Sequence, residues 1–253
     1  MSKFIEKAEM MTLPVVVLKG AVAFPAITIN LEISDEESIN SVKNANAGGS
    51  HILLVTSKII KDAPFSHDEL YNVGTIAKIK QSLVTPEGSL RIIAEGIGRA
   101  IISSYNTLDN GSIIADVLSK AIIINDCGVK GQAYMREVIE SLEETAKMLN
   151  NSADELILAA KAIEDPGFLA DFVASNMLVK FDDKQMVLEC FEPIQRMEAL
   201  IHLLAKERLL LEYEMDIHKK VRARLNQAQK ERYLQEQIRV LHSIVIISSS
   251  VSA

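Results

Sequence analysis

Between Ile194 and Leu241 the chain contains neither proline nor glycine, and that long uninterrupted stretch constrains the fold more than any other feature. Ile194, Met197, Leu200, Ile201, Leu204 and Leu211 recur at helical spacing and define a broad apolar face, with Lys206, Glu207 and Arg208 turned outward. Beyond Glu212 only a narrow stripe remains, made of Ile217, Val221, Leu225 and Ala228 among Lys219, Lys220, Arg222, Arg224, Lys230 and Arg232. Read as one helix opened by Pro193, the segment is roughly 70 Å long at 1.5 Å per residue. No small domain buries that length, so its front half packs on a body and its rear half projects or meets a partner. In the isolated chain the rear half reads as a solvated charged helix, and in an assembly as a rigid connector.

The charge follows the same division. The whole chain carries −7, yet residues 193–253 hold 10 Lys/Arg against 7 Asp/Glu, while the preceding 192 hold 17 against 27. A net negative charge argues against sequence-independent nucleic-acid binding by the whole molecule. The basic stretch Lys219–Arg239 is the place for such binding, and it lacks interleaved aromatics apart from Tyr233. Hydrophobic residues make up 48% with no Trp, so the core rests on Ile, Leu, Val and Met.

The front half has the other periodicity. Val15-Val16-Val17 is apolar on both faces, as a barrel strand is, and Ile27, Ile29, Leu31 and Ile33 alternate with Thr28, Asn30 and Glu32. Between them Phe24-Pro25 forms an extended turn, because proline disfavours helical geometry at the residue before it. Ser34 followed by Glu37 reads as the capped start of a short helix that Gly48-Gly49 stops. Strands follow at His51–Thr56, Tyr71–Lys80, on either side of Gly96-x-Gly98, and at Ile113–Leu118. Pro86-Glu87-Gly88 and Asp109-Asn110-Gly111 supply turns. The two glycines lack the third glycine and following helix of a dinucleotide site, so they mark a sheet bend.

After Asn125–Gly128 the period changes to about 3.6. Tyr134, Val138, Leu142, Thr145 and Leu149 form one stripe; Ser152 caps a helix over Ala153–Ile163; Pro166 opens another; Asp182-Asp183 cap a fourth that ends near Cys190. The expected architecture is α+β. Residues 1–10 form a mobile start, 11–120 a small β-barrel or sheet, 121–129 a linker, and 130–212 a helical bundle whose final helix begins near 193. Residues 213–241 form a projecting basic helix. Residues 242–253 are a β-branched, serine-rich tail unlike that helix, read as the product of truncation or a frameshift.

Four motifs along the chain resemble one family. Leu13-Pro14 with a short strand and Val22-x-Phe24-Pro25, then Glu95-Gly96-x-x-Arg99-Ala100, then Asp165-Pro166-x-x-Leu169-Ala170-Asp171, and finally Gln229-x-Glu231-x-Tyr233-Leu234-x-Glu236-Gln237 are similar, in order, to the amino-terminal region of the ATP-dependent protease Lon. The resemblance implies a PUA-like barrel used for protein contacts. It implies a non-catalytic module that recruits unfolded, damaged or regulatory protein substrates and supports a hexamer in protein quality control. ATP and Mg belong to later modules of the complete enzyme. Phe24 and Pro25, in the turn, are the expected substrate contacts. A free-standing adaptor that binds Lon or its clients without degrading them is the rival reading.

No catalytic site is legible. The chain has no G-x-x-x-x-G-K-[ST] loop, no matching Ser-Lys motif, and five histidines without metal-ligand spacing. Cys127 and Cys190, far apart in sequence, read as free thiols. No apolar run approaches a membrane span, and the protein is expected in the cytoplasm.

Overall fold

The computed structural model describes residues 4–62, 64–124, 128–148 and 153–251. It consists of two units, Met1–Glu207 and Arg208–Ala253. The first unit holds six strands, β1 (Phe4–Leu18), β2 (Thr28–Ile33), β3 (His51–Thr56), β4 (Val73–Val84), β5 (Leu90–Thr107) and β6 (Ile113–Ile124). Helix α1 (Glu36–Ala47) lies between β2 and β3, and α2 (Gly128–Met148), α3 (Asp154–Lys161), α4 (Pro166–Met177) and α5 (Phe181–Glu189) follow the strands. Helix α6 (Pro193–Val251) begins in the first unit and supplies the whole helix of the second.

Strand order is β2-β5-β4-β3-β1-β6, and β6 pairs again with β5, so five strands close a barrel on which β2 is an added edge. The closure depends on β1 changing partners. It runs antiparallel to β6 from Phe4 to Pro14, then parallel to β3 from Val15 to Leu18. Pro14, which has no N–H to give, falls at the changeover. The doubly apolar Val15–Leu18 run follows from this position: Val16 and Leu18 enter one core with Ile52, Ile92 and Val42, and Val15 and Val17 enter another with Leu53, Ala100 and Val117.

Several expectations shift. Residues 4–10, expected as a mobile start, are the first part of β1, because Phe4 through Met10 find a complete antiparallel partner in β6. Of the expected linker, 121–124 belong to β6, 128–129 belong to α2, and 125–127 lie outside the described residues. The α1 cap is Asp35 in place of Ser34, its carboxylate accepting the Ser38 N–H at 3.0 Å. Asp182 and Asp183 do not cap α5, whose N-cap is Lys180. Asp182 instead accepts the Tyr71 hydroxyl, and Asp183 pairs with Lys206 at 3.0 Å. The Ser152 cap lies outside the described residues. Backbone of α6 stays helical through Val251, so the β-branched tail follows the helix it was expected to leave.

The two strands expected around Gly96-x-Gly98 are one strand with a bulge. Ile76 faces Gly98 and Ala77 faces Gly96, which leaves Ile97 unpaired and pushed outward. Gly96 is required for a second reason: a Cβ there would lie 2.1 Å from the Phe24 carbonyl oxygen, whereas one on Gly98 would meet nothing within 4 Å. Gly96→Ala is therefore expected to destabilise the fold by about 1–3 kcal/mol or more, since overpacking against backbone cannot relax by a rotamer change. Gly98→Ala should stay within about 0.5 kcal/mol. Urea unfolding of the two variants side by side measures the difference.

Candidate functional site

Three of the four motifs that stood apart in sequence, through Phe24-Pro25, Arg99 and Asp165–Asp171, converge where the barrel meets the bundle. Phe24-Pro25-Ala26-Ile27 forms a tight turn, with the Ile27 N–H donating to the Phe24 carbonyl at 3.4 Å. Pro25 presets the first central position, and Ala26 takes φ 60°, a left-handed conformation that costs a non-glycine residue energy. The turn is fixed to β5 by Ala26 N–H donating to Gly96 O at 2.9 Å and Gly96 N–H donating to Ile27 O at 3.0 Å. Thr75 holds it from below, its buried hydroxyl donating to the Ala23 carbonyl at 2.7 Å.

This geometry places Phe24 in the core. Its side chain is 1% exposed and packs with Val22 and Val73 against Leu142, Leu169, Val173 and Met197 of the helices. Phe24 is thus a plug joining barrel and bundle, and the expected substrate contact through it does not fit this position. Pro25 is half-buried and lines a cleft of about 220 Å³ together with Arg99, Phe168, Asp171 and Arg196.

Asp171 sits at the floor of that cleft and is 2% exposed. Arg99 Nη2 donates to its Oδ1 at 2.5 Å, and Arg196 Nη1 donates to its Oδ2 at 3.2 Å. One carboxylate between two buried guanidinium groups leaves a positive excess, which main-chain carbonyls absorb. Arg99 Nε donates to Leu188 O, and Arg196 donates to Gly167 O, Cys190 O and Phe191 O. Three of those carbonyls belong to the end of α5 or the residues just after it, where a helix presents its negative pole. Burial, more than any neighbour, pulls the Arg196 guanidinium down to about 10; Asp171 opposes that shift and Arg99 adds to it. Burial likewise pushes the neighbouring Cys190 thiol up, the direction of an unreactive thiol. Cys190 is free, and Cys127 lies outside the described residues.

The rest of the motif residues take supporting positions. Asp165 caps α4 by accepting the Phe168 N–H at 2.6 Å, Pro166 occupies the first turn, and Leu169 and Ala170 are fully buried. Leu13 is in the barrel core, and Glu95 pairs with Lys80 at 2.5 Å on the surface. Glu231, Tyr233, Leu234, Glu236 and Gln237 lie on the second unit's part of α6 and are exposed. There Gln237 donates to the Tyr233 hydroxyl at 2.9 Å and Gln227 to Glu231 at 3.1 Å, contacts between residues one helical turn apart. Arg196 is the residue that sequence reasoning passed over. Its signal was available: three residues after Pro193 and four before Leu200, it falls on the apolar face of the last helix, where a charge needs a buried partner.

A second surface lies at the other end of β5. On the outer face of the β2-β5-β4 sheet, a groove of about 380 Å³ is lined by Asn30, Gln81, Leu83 and Ile93, with Glu32 and Arg91 at its rim. Leu83 is 59% and Ile93 36% exposed. The rim charges neutralise each other, Arg91 donating to Glu32 at 3.1 Å while Ser89 donates to the same carboxylate. These donors hold the Glu32 carboxyl below its usual range, Ser89 contributing most. Among the described residues no group of three or more His, Cys, Asp or Glu is placed to hold a metal, and no helix is long and apolar enough to cross a membrane.

Comparison with known proteins places these features in context. The family model for the ATP-dependent protease La (LON) substrate-binding domain matches residues 12–206. The Lon protease of Heliobacterium modesticaldum is 34% identical over 236 residues, which is 90% of this chain and 28% of that protein. The Lon protease of Elusimicrobium minutum is 35% identical over 234 residues, again 90% of this chain and 28% of that protein. The chain thus spans a little over a quarter of the length of these relatives. Among solved structures, the N-terminal domain of Mycobacterium avium complex Lon protease superposes with a TM-score of 0.62 at 21% identity, over 77% of this chain and 98% of that one. At that identity the likeness speaks for the fold.

Two substitutions test the junction. Asp171→Asn leaves two buried guanidinium groups facing a neutral amide and is expected to cost about 3–5 kcal/mol, as breaking one side of a buried ion pair does. Phe24→Ala should cost a similar amount, about 3–5 kcal/mol, by opening a cavity between barrel and bundle. Chemical denaturation of each variant gives the number.

Proposed function

The chain belongs to the family of the substrate-binding domain of the ATP-dependent protease Lon, and from that premise we propose that it recruits unfolded segments of client proteins for a longer protein to degrade. Unfolded chains differ from folded ones in exposing contiguous apolar side chains, so a recruiter needs apolar surface of its own that is open to solvent. The observation that supports this reading is the outer-face groove, where Leu83 and Ile93 stand exposed above a sheet whose rim charges are internally paired. A neutral rim selects for apolar content and leaves partner charge free to vary. The junction around Asp171 takes no part in contact: it keeps the barrel in a fixed relation to the bundle, so that clients are presented in one orientation.

The second unit supports self-association of the longer protein. Ile217, Val221 and Leu225 recur every four residues along α6, each between 48% and 60% exposed. Such a narrow apolar stripe between charges suits a helix from another subunit.

Leu83→Ser together with Ile93→Ser should weaken binding of a permanently unfolded probe, reduced and carboxymethylated α-lactalbumin, by about tenfold, since each change removes roughly 1 kcal/mol or less of buried apolar contact. Thermal unfolding of the variant should stay cooperative and fall by only a few degrees, because Leu83 faces solvent and Ile93 is only partly covered. Unchanged affinity in fluorescence anisotropy would remove the groove from the recruiting surface.

A further inference from the structure

Strand β2 closes no ladder on its outer side. Its pairing with β5 is set by Gly96 N–H donating to Ile27 O, with Ile29 opposite Ala94, Leu31 opposite Ile92 and Ile33 opposite Leu90. In an antiparallel pair the bonded positions alternate. Ile29, Leu31 and Ile33 therefore exchange bonds with β5, and Thr28, Asn30 and Glu32 point their N–H and C=O groups away from it. Among the described residues no further strand pairs with β2, and β2 contains no proline to blunt the edge.

A furrow runs beside this edge. Its first part, about 160 Å³, lies between Leu31–Ile33 of β2 and Val16–Leu18 of β1, the portion of β1 that β6 has already left. Its second part, about 460 Å³, continues from the shared residues Lys19, Ser34 and Asp35 to Glu36, Glu37 and Asp62. Four carboxylates there face one ammonium group, Lys19, which is 3.5 Å from Asp62. The crowding is visible at Glu37, whose carboxyl is pushed up first by partial burial and then by Asp35.

We propose that the free edge of β2 takes an extended client segment as an added strand, with apolar residues at alternate positions and a lysine or arginine reaching the acidic end of the furrow. This rests on the client-recruiting reading and specifies its occupant. Main-chain bonds from Thr28, Asn30 and Glu32 bind any sequence that is extended and unpaired, which is the condition that distinguishes an unfolded client. Leu31, which lines both the furrow and the outer-face groove, gives the strand's side chains an apolar footing. The excess of carboxylates over Lys19 supplies the preference for a basic residue.

The test uses the full chain and a fluorescein-labelled peptide that alternates valine and threonine and ends in two lysines. Asn30→Pro deletes an outward N–H without touching the β5 ladder, and its neighbour Ile29 is already extended. It should weaken binding about tenfold or more, whereas Asn30→Ala, which keeps the outward N–H and trims only the groove wall, should lose no more than about twofold. Independently of any folding effect, the same peptide N-methylated at alternate residues should lose binding to the wild-type chain. Glu36→Gln with Glu37→Gln should weaken the lysine peptide and leave a serine-ended version unchanged. Full affinity of Asn30→Pro or of the methylated peptide would overturn the proposal. So would a wild-type dimer that Asn30→Pro dissociates, because a second copy would then own the edge. Carboxymethylated α-lactalbumin separates the two readings. If wild type and Asn30→Pro hold it equally, the edge is wrong and recruitment stands; if wild type does not hold it, both fall.

Discussion

A single buried carboxylate, Asp171, determines how the two halves of the first unit fit together. It is reached by Arg99 from β5 and by Arg196 from α6, and it belongs to α4. Two positive charges against one negative would be costly at this depth were it not for the carbonyls that surround the guanidinium groups. Those carbonyls are available only because α5 ends there, with Cys190 and Phe191 leaving the helix at the right place. The network therefore depends on the simultaneous placement of one strand and three helices. In this docking of bundle on barrel, strand and helices together satisfy the two guanidinium groups with one carboxylate and four main-chain carbonyls.

Secondary contacts follow from that alignment. The Tyr71 hydroxyl reaches Asp182, and burial together with that carboxylate pushes the phenol up to about 12, so it remains a donor at any ordinary pH. Gln185 bridges α5 to β4 by donating to Val73 O. Phe24 enters the bundle core only because the turn behind it is clamped to Gly96. Strand β5 thereby serves two purposes, separated by the bulge at Ile97. Its later half, with Arg99, belongs to the junction, and its earlier half, from Leu90 to Glu95, carries β2 and the exposed groove. The buried ionic contacts thus lie at one end of the strand and the open surface at the other.

Much of this was legible in the linear order of residues. Alternation at Ile27–Ile33, the doubly apolar Val15–Val17, the glycine bend and the long unbroken helix each reflect a local rule that a backbone obeys regardless of its surroundings. The motif residues were also visible as a set. Their purpose was not, because Arg99 and Asp171 are 72 positions apart and nothing local says that they touch. Phe24 misled for the same reason: a turn aromatic is ordinarily surface, and only the close approach at Gly96 turns it inward. Residues 4–10 looked mobile because their partner strand, β6, lies more than a hundred positions away.

Sequence alone determined most of the element types, the change from period two to period 3.6, the family and the unbroken course of the last helix from Ile194 to Leu241, since each depends on near neighbours or on a string of motifs in order. Tertiary structure decided which charges are buried together, which strand of the barrel was left with an open edge and which apolar residues face water. Those outcomes depend on pairings between distant segments. In them a one-residue change of register would bury or expose every side chain on a strand, and no local signal records which register wins.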